Sequence, residues 1–140
     1  MSFQDAFDTV VGEEGGYVNN PNDPGGETKY GISHRAYPDE DIANLTLERA
    51  QFLYKRDYWD ALGLDDRLPG YALVLFDCAV NNGVNAARVL LTQVGSNSAS
   101  FIVSFQAERA LRYASLPTFA TFGRGWMRRL IRVAIDASKL

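Results

Sequence analysis

Cysteine and histidine are almost missing. The chain has one of each, Cys78 and His34, and only two methionines and two tryptophans in 140 residues. One thiol rules out an internal disulfide. One thiol with one imidazole does not make a zinc site of the usual ligands, so any metal would rest on carboxylates. Cys78 falls in the apolar run Leu73 to Val80 and reads as a small core residue. No stretch is long and apolar enough to span a bilayer. The opening Met-Ser-Phe-Gln-Asp-Ala-Phe-Asp lacks a basic region followed by an apolar one, so it does not read as a secretory signal. Repeats and low-complexity linkers are absent, which points to a single domain over 1–140.

What is present is ordinary for a folded protein: 46% hydrophobic and 22% charged residues. The net charge is −3, but it is unevenly placed. From Arg124 to the end there are five basic residues and one acid, a segment of +4 against −7 for the remainder. The acidic remainder and the lack of a recognition motif argue against nucleic acid.

The patterning is mostly helical. Phe3, Phe7, Val10 and Val11 recur at helical spacing, predicting a helix over 2–14 stopped by Gly15-Gly16. The turn-rich stretch Asn19 to Gly26 lies between two potentially extended segments, Tyr17-Val18 and Thr28 to Ile32, and predicts a small β-hairpin or loop lobe. Thr46 can cap a helix to about Trp59. Pro69 suits the first turn of a helix through Asn81, ended by Gly83 and apolar nearly all round, hence central. Further helices are expected at about 84–94, 100–114 and 124–138. The expected fold class is α+β, a mostly helical lobe with a small β lobe near the N-terminus.

Along the first helix, at about 100° per residue, Phe3, Phe7, Val10 and Glu14 share one stripe, and Glu13 is turned away from it. A carboxylate facing the core side is desolvated, and a helix C-terminus and a neighbouring acid both disfavour its charge. Each effect raises the pKa of Glu14, as a general acid near neutral pH requires. Asp23 and Thr28 follow in the doubling-back loop, where a second carboxylate and a hydroxyl could face the first acid. Glycoside hydrolysis needs such a facing pair. Glu27 is the rival second carboxylate, and Asp23 also reads simply as an Asx-turn residue before proline.

The segment Glu14-Gly15-Gly16-Tyr17, followed by Asp23-Pro24-Gly25-Gly26-Glu27-Thr28-Lys29-Tyr30-Gly31-Ile32-Ser33, resembles the signature of glycoside hydrolase family 108. A second block, Phe76-Asp77 with Ala79-Val80-Asn81, Gly83 and Ala86-Ala87-Arg88, is similar to that family's C-terminal predicted peptidoglycan region. Arg109 to Tyr113 and Gly125-Trp126 with Arg129 fit its closing helices. The resemblance implies a lysozyme-like fold, with a β-hairpin lobe at 15–35 and a helical lobe at 69–140. It implies a phage endolysin acting as an N-acetylmuramidase on peptidoglycan glycan strands. Glu14 matches the family's catalytic glutamate, although many relatives carry histidine where this chain has Glu13. By likeness to a neighbouring phage lysozyme family, Asp23 and Thr28 take supporting roles.

Tyr17, Tyr30, Asn81 and Asn82 are candidate sugar contacts, with core packing or helix capping as the plainer readings. Asp77 stands alone in an apolar run and, if buried, must be paired, with an arginine as the candidate partner. Trp59 and Trp126 read as core or lobe-interface anchors, and His34 as a surface loop residue. The last helix sets Arg124, Arg128, Arg129 and Arg132 against Trp126, Leu130, Ile131, Val133 and Ile135. It reads as a packed amphipathic helix or as a contact to anionic envelope polymers or lipids. No cofactor is called for, and a monomer is expected. The enzyme would be made in the host cytoplasm and reach the wall through holin-type lesions. A lytic transglycosylase using the same acid and a non-catalytic wall-binding or secretion-accessory protein are the alternatives.

Overall fold

The computed structural model describes residues 1–12, 15–95 and 100–140. Helix α1 (Phe3–Val10) starts at a capping box: the Ser2 hydroxyl accepts from the Asp5 N–H, and the Asp5 carboxylate accepts from the Ser2 N–H. It stops earlier than its apolar spacing suggests. Gly12, at φ +66°, is the first residue able to turn left-handed without strain, and both Val11 and Gly12 donate to the Phe7 carbonyl. The stop is therefore Gly12 and not Gly15-Gly16. Helix α1 is thus shorter than the expected 2–14 and ends at Val10. Glu13 and Glu14 themselves lie outside the described residues.

A three-stranded antiparallel sheet follows: β1 (Val18–Asn19), β2 (Glu27–Lys29) and β3 (Ile32–Ser33). Val18 pairs with Thr28, and Lys29 pairs with Ile32. The stretch Thr28 to Ile32, expected as one extended segment, is broken by a two-residue turn. Tyr30 (φ +49°) and Gly31 (φ +74°) both take the left-handed conformation that matches strand twist in tight hairpins.

Helix α2 (Leu47–Tyr54) is capped by the Thr46 hydroxyl, which accepts from the Arg49 N–H, and runs on as a π-helical turn, Lys55–Trp59. Short 3₁₀ turns at Asp60–Leu62 and Leu64–Asp66 lead into α3 (Pro69–Asn82). Helices α4 (Val84–Val94), α5 (Phe101–Ala114) and α6 (Phe119–Ser138) complete the chain. α6 begins five residues before the expected position. Gly123 lies inside the helix and makes room for the Phe119 ring one turn back.

α3 is the centre. Ala72 through Ala79 are all buried, and α1, α4, α5 and α6 pack around it. Phe76 meets Phe3, Trp59 and Tyr54 edge-on, with ring centroids 5.5–6.5 Å apart, an arrangement aromatic pairs favour. Trp59 is fully buried and donates its indole N–H to Asp65 at 2.7 Å. Cys78 lies in the same core, where burial pushes its thiol pKa up to about 11. Its expected core role follows. The sheet lobe is thinner, with Ile32 its one buried strand residue.

Candidate active site

Two anchors hold the chain on either side of positions 13 and 14. Upstream, Arg129 of α6 donates to the Val10 carbonyl at the end of α1, at 3.4 Å. Downstream, the Gly15 carbonyl accepts from the Tyr30 N–H at 2.7 Å, so the strand-turn residue Tyr30 grips the glycine that follows Glu14. Tyr54 then fixes that turn by donating its hydroxyl to the Tyr30 carbonyl at 3.0 Å. Gly31 has to be glycine here: a Cβ would run into the Tyr54 hydroxyl. Burial pushes the Tyr54 pKa well up, so the hydroxyl keeps the proton this bond uses.

Between these anchors lies a cavity of about 290 Å³. Val10 and Val11 of α1, Gly15, Gly31, Tyr54, Val80, Asn81 and Arg129 line it. The end of the first helix, the sheet turn, α2, α3 and α6 thus converge on one opening.

Its floor is ionic. Asp77 of α3 is fully buried and shared by two arginines. Arg109 Nη1 lies 2.6 Å from Asp77 Oδ2, with both side chains completely buried. Arg129 Nη2 lies 2.6 Å from Asp77 Oδ1, and its own side chain is 27% exposed. Two guanidiniums against one carboxylate leave an excess positive charge, carried on the side that reaches the cavity. The expected pairing of Asp77 with an arginine is met twice over. Asn81 donates to the Asp77 carbonyl at 2.8 Å. The Asn82 side-chain oxygen accepts from Arg109 Nε at 2.8 Å and from the Tyr113 hydroxyl at 3.0 Å, so its acceptor is already engaged.

The other candidates stay within the sheet lobe. The Asp23 carboxylate is exposed and accepts from the Gly25 N–H at 2.8 Å, closing an Asx turn, with its second oxygen in no hydrogen bond among the described residues. Glu27 accepts from the Tyr17 hydroxyl at 2.6 Å across the β1–β2 pair, and this bond raises the Tyr17 pKa. Thr28 makes a long contact, 3.5 Å, to the Gly26 carbonyl. Among the described residues Asn81 lines the cavity; Tyr17, Asp23, Glu27 and Thr28 do not. His34 is exposed in the loop after β3, and Trp126 stacks on Tyr113.

Sequence reasoning left Arg129 among the basic residues of the last helix and did not single out Tyr54 or Gly31. The hint for Arg129 was Asp77: a lone buried acid needs a cation, but nothing local says which of fourteen basic residues supplies it.

Comparison with known proteins agrees with this architecture. A family model described as glycosyl hydrolase 108 matches residues 7–83, from the second half of α1 through the sheet, α2 and α3. Among solved structures, that of SagA from Brucella abortus is similar with a TM-score of 0.82 and 29% sequence identity. The match covers 98% of this chain and 94% of that one, so it includes the helices after Gly83. Among curated proteins none matches significantly. The fold is α+β and lysozyme-like, as expected. With more than half of its length under the family model, the chain belongs to glycosyl hydrolase family 108.

Proposed function

We propose that this glycosidase is a peptidoglycan muramidase with Glu14 as its general acid, cutting the β-1,4 bond between N-acetylmuramic acid and N-acetylglucosamine. The observation that carries the reading is the cavity beside Gly15, where both lobes meet and whose chain neighbours in sequence are Glu13 and Glu14. In this mechanism Glu14 gives its proton to the glycosidic oxygen as the C1–O bond breaks. A carboxylate steadies the oxocarbenium-like charge, and water adds at C1 to leave a reducing N-acetylmuramic acid end. Asp23 suits the second role better than Glu27, because one Asp23 oxygen is uncommitted whereas Glu27 is tied to Tyr17. Thr28 assists from the same lobe.

Arg129 faces the cavity. As a general acid, Glu14 must carry its proton when a glycan strand binds. The exposed Arg124, Arg128 and Arg132 beside Ile131 and Ile135 support a further electrostatic contact with anionic envelope material. An endolysin made in the host cytoplasm and released to the wall is the biological setting that fits this reading.

One observation favours a second chemistry. Asp23 and Glu27 both make bonds within their own lobe, and a lytic transglycosylase would need the Glu14 acid without a separate second carboxylate. Mass spectrometry of released muropeptides separates the two. Reducing ends support the hydrolase, and anhydro ends the transglycosylase.

A further inference from the structure

A second cavity adjoins the first. It encloses about 620 Å³, twice the space of the cavity beside Gly15, and the two share Val10, Val11 and Arg129 in their walls. Its far side is polar and carries both signs of charge: Arg132 and Asp136 from α6, and Asp8 from α1. Asp8 is held by Gln4 at 2.8 Å, and Asp136 is reached by Lys139 at 3.5 Å. Arg132 has no ion pair or hydrogen bond from its guanidinium among the described residues.

Pyranose rings carry hydroxyl and acetamido groups but no formal charge. A neutral strand gains little from a pocket lined by guanidiniums and carboxylates, because covering them displaces hydration without supplying a partner charge. In peptidoglycan the charges are on the peptide stem, which leaves the lactyl group of muramic acid and bears free carboxylates and, in many walls, an amine. A free guanidinium presents a planar fork that matches a carboxylate. The flanking acids would meet an amine.

We infer that the cavity between the end of α1 and α6 is a peptide-stem site, in which Arg132 holds a stem carboxylate while the glycan occupies the adjoining cavity. The inference rests on the peptidoglycan reading of that neighbouring cavity. It makes Arg132 a determinant of which glycans are cut rather than a catalytic residue. Arg129, fixed by Asp77 in the shared wall, marks the point where the stem diverges from the sugar chain.

Two measurements test this. The first is calorimetric titration of a synthetic stem tetrapeptide with free carboxylates into the full chain. Binding is expected in the wild type and about tenfold weaker in Arg132→Gln, the loss of one charge-assisted hydrogen bond. Amidating the peptide carboxylates should weaken binding similarly. Arg112→Gln, an exposed arginine of α5 outside both cavities, should bind like the wild type. The second measurement compares cleavage of intact glycan strands with strands stripped of stems by an amidase. The wild type should prefer intact strands, and Arg132→Gln should lose that preference. Arg132 is exposed, and matched melting curves will show that the variant folds.

Equal peptide binding by wild type and Arg132→Gln, or no peptide binding at all, overturns the stem site. So does an unchanged preference in the variant. Stem binding that depends on Arg132 in a protein that cuts no glycan would sink the muramidase reading and leave the stem site standing. Equal cleavage of intact and stripped strands would do the reverse.

Discussion

The two lobes are built in opposite ways. On the helical side, Asp77, Arg109, Asn82 and Tyr113 form a hydrogen-bonded cluster around fully buried charges, with Arg129 at its edge. On the sheet side, Asp23, Glu27 and Tyr17 make single hydrogen bonds at or near the surface. A buried charge cluster is costly to disturb one member at a time, and so it fixes the geometry of whatever it touches. Exposed polar groups on a small sheet exchange partners with water at little cost, so a substrate can recruit them. The helical side is held rigid, and the sheet side is left open to new partners.

The largest effect should come from breaking the rigid side. Asp77→Ala leaves two guanidiniums without their shared carboxylate and should destabilise the protein by about 3–5 kcal/mol in denaturant unfolding. A change below ~1 kcal/mol would mean that water already satisfies the cluster. Gly31→Ala comes next. It adds a Cβ against the Tyr54 hydroxyl at a φ of +74°, and a loss of about 1–2 kcal/mol is expected. Because the same turn holds Gly15, activity should fall more than stability alone explains.

Alkaline pH probes the same core through Cys78. Folded Cys78 keeps its proton to about pH 11, against 9.0 for the unperturbed thiol. Between those values the unfolded chain binds fewer protons than the folded one, so stability falls as pH rises. Cys78→Ala should flatten that part of the stability–pH curve, and a curve unchanged by the substitution would contradict the burial account. The smallest effect is expected on the open side. Tyr17→Phe removes the bond to Glu27, yet the melting temperature should stay within error of wild type. A clear drop would show that the sheet side is as rigid as the helical one.

Legibility in the sequence follows the same division. Helices α2 to α5 could be read nearly to their ends, because capping residues, Pro69 and Gly83 act locally. The Asp23 Asx turn was also local and legible. What escaped depended on long-range contact. Tyr30-Gly31 reads as strand until Tyr54, 24 residues on, is seen to hold its turn. The first turn of α6, ahead of the expected start at about 124, packs the Phe119 ring against Gly123. The Asp77–Arg129 pair spans 52 residues, beyond any periodicity argument. The end of α1 failed for a different reason: apolar spacing continued past Val10, but Gly12 offered an earlier left-handed stop.

The central claim is that Glu14 supplies the proton in a glycosidase of the cell wall. Its most direct test is cleavage of purified peptidoglycan by wild type and Glu14→Gln, with released muropeptides identified by mass spectrometry and folding checked by circular dichroism. The account predicts reducing N-acetylmuramic acid ends from wild type and a loss of about 10²–10⁴-fold in rate for a folded Glu14→Gln. Release of the same products at the wild-type rate by Glu14→Gln would contradict it.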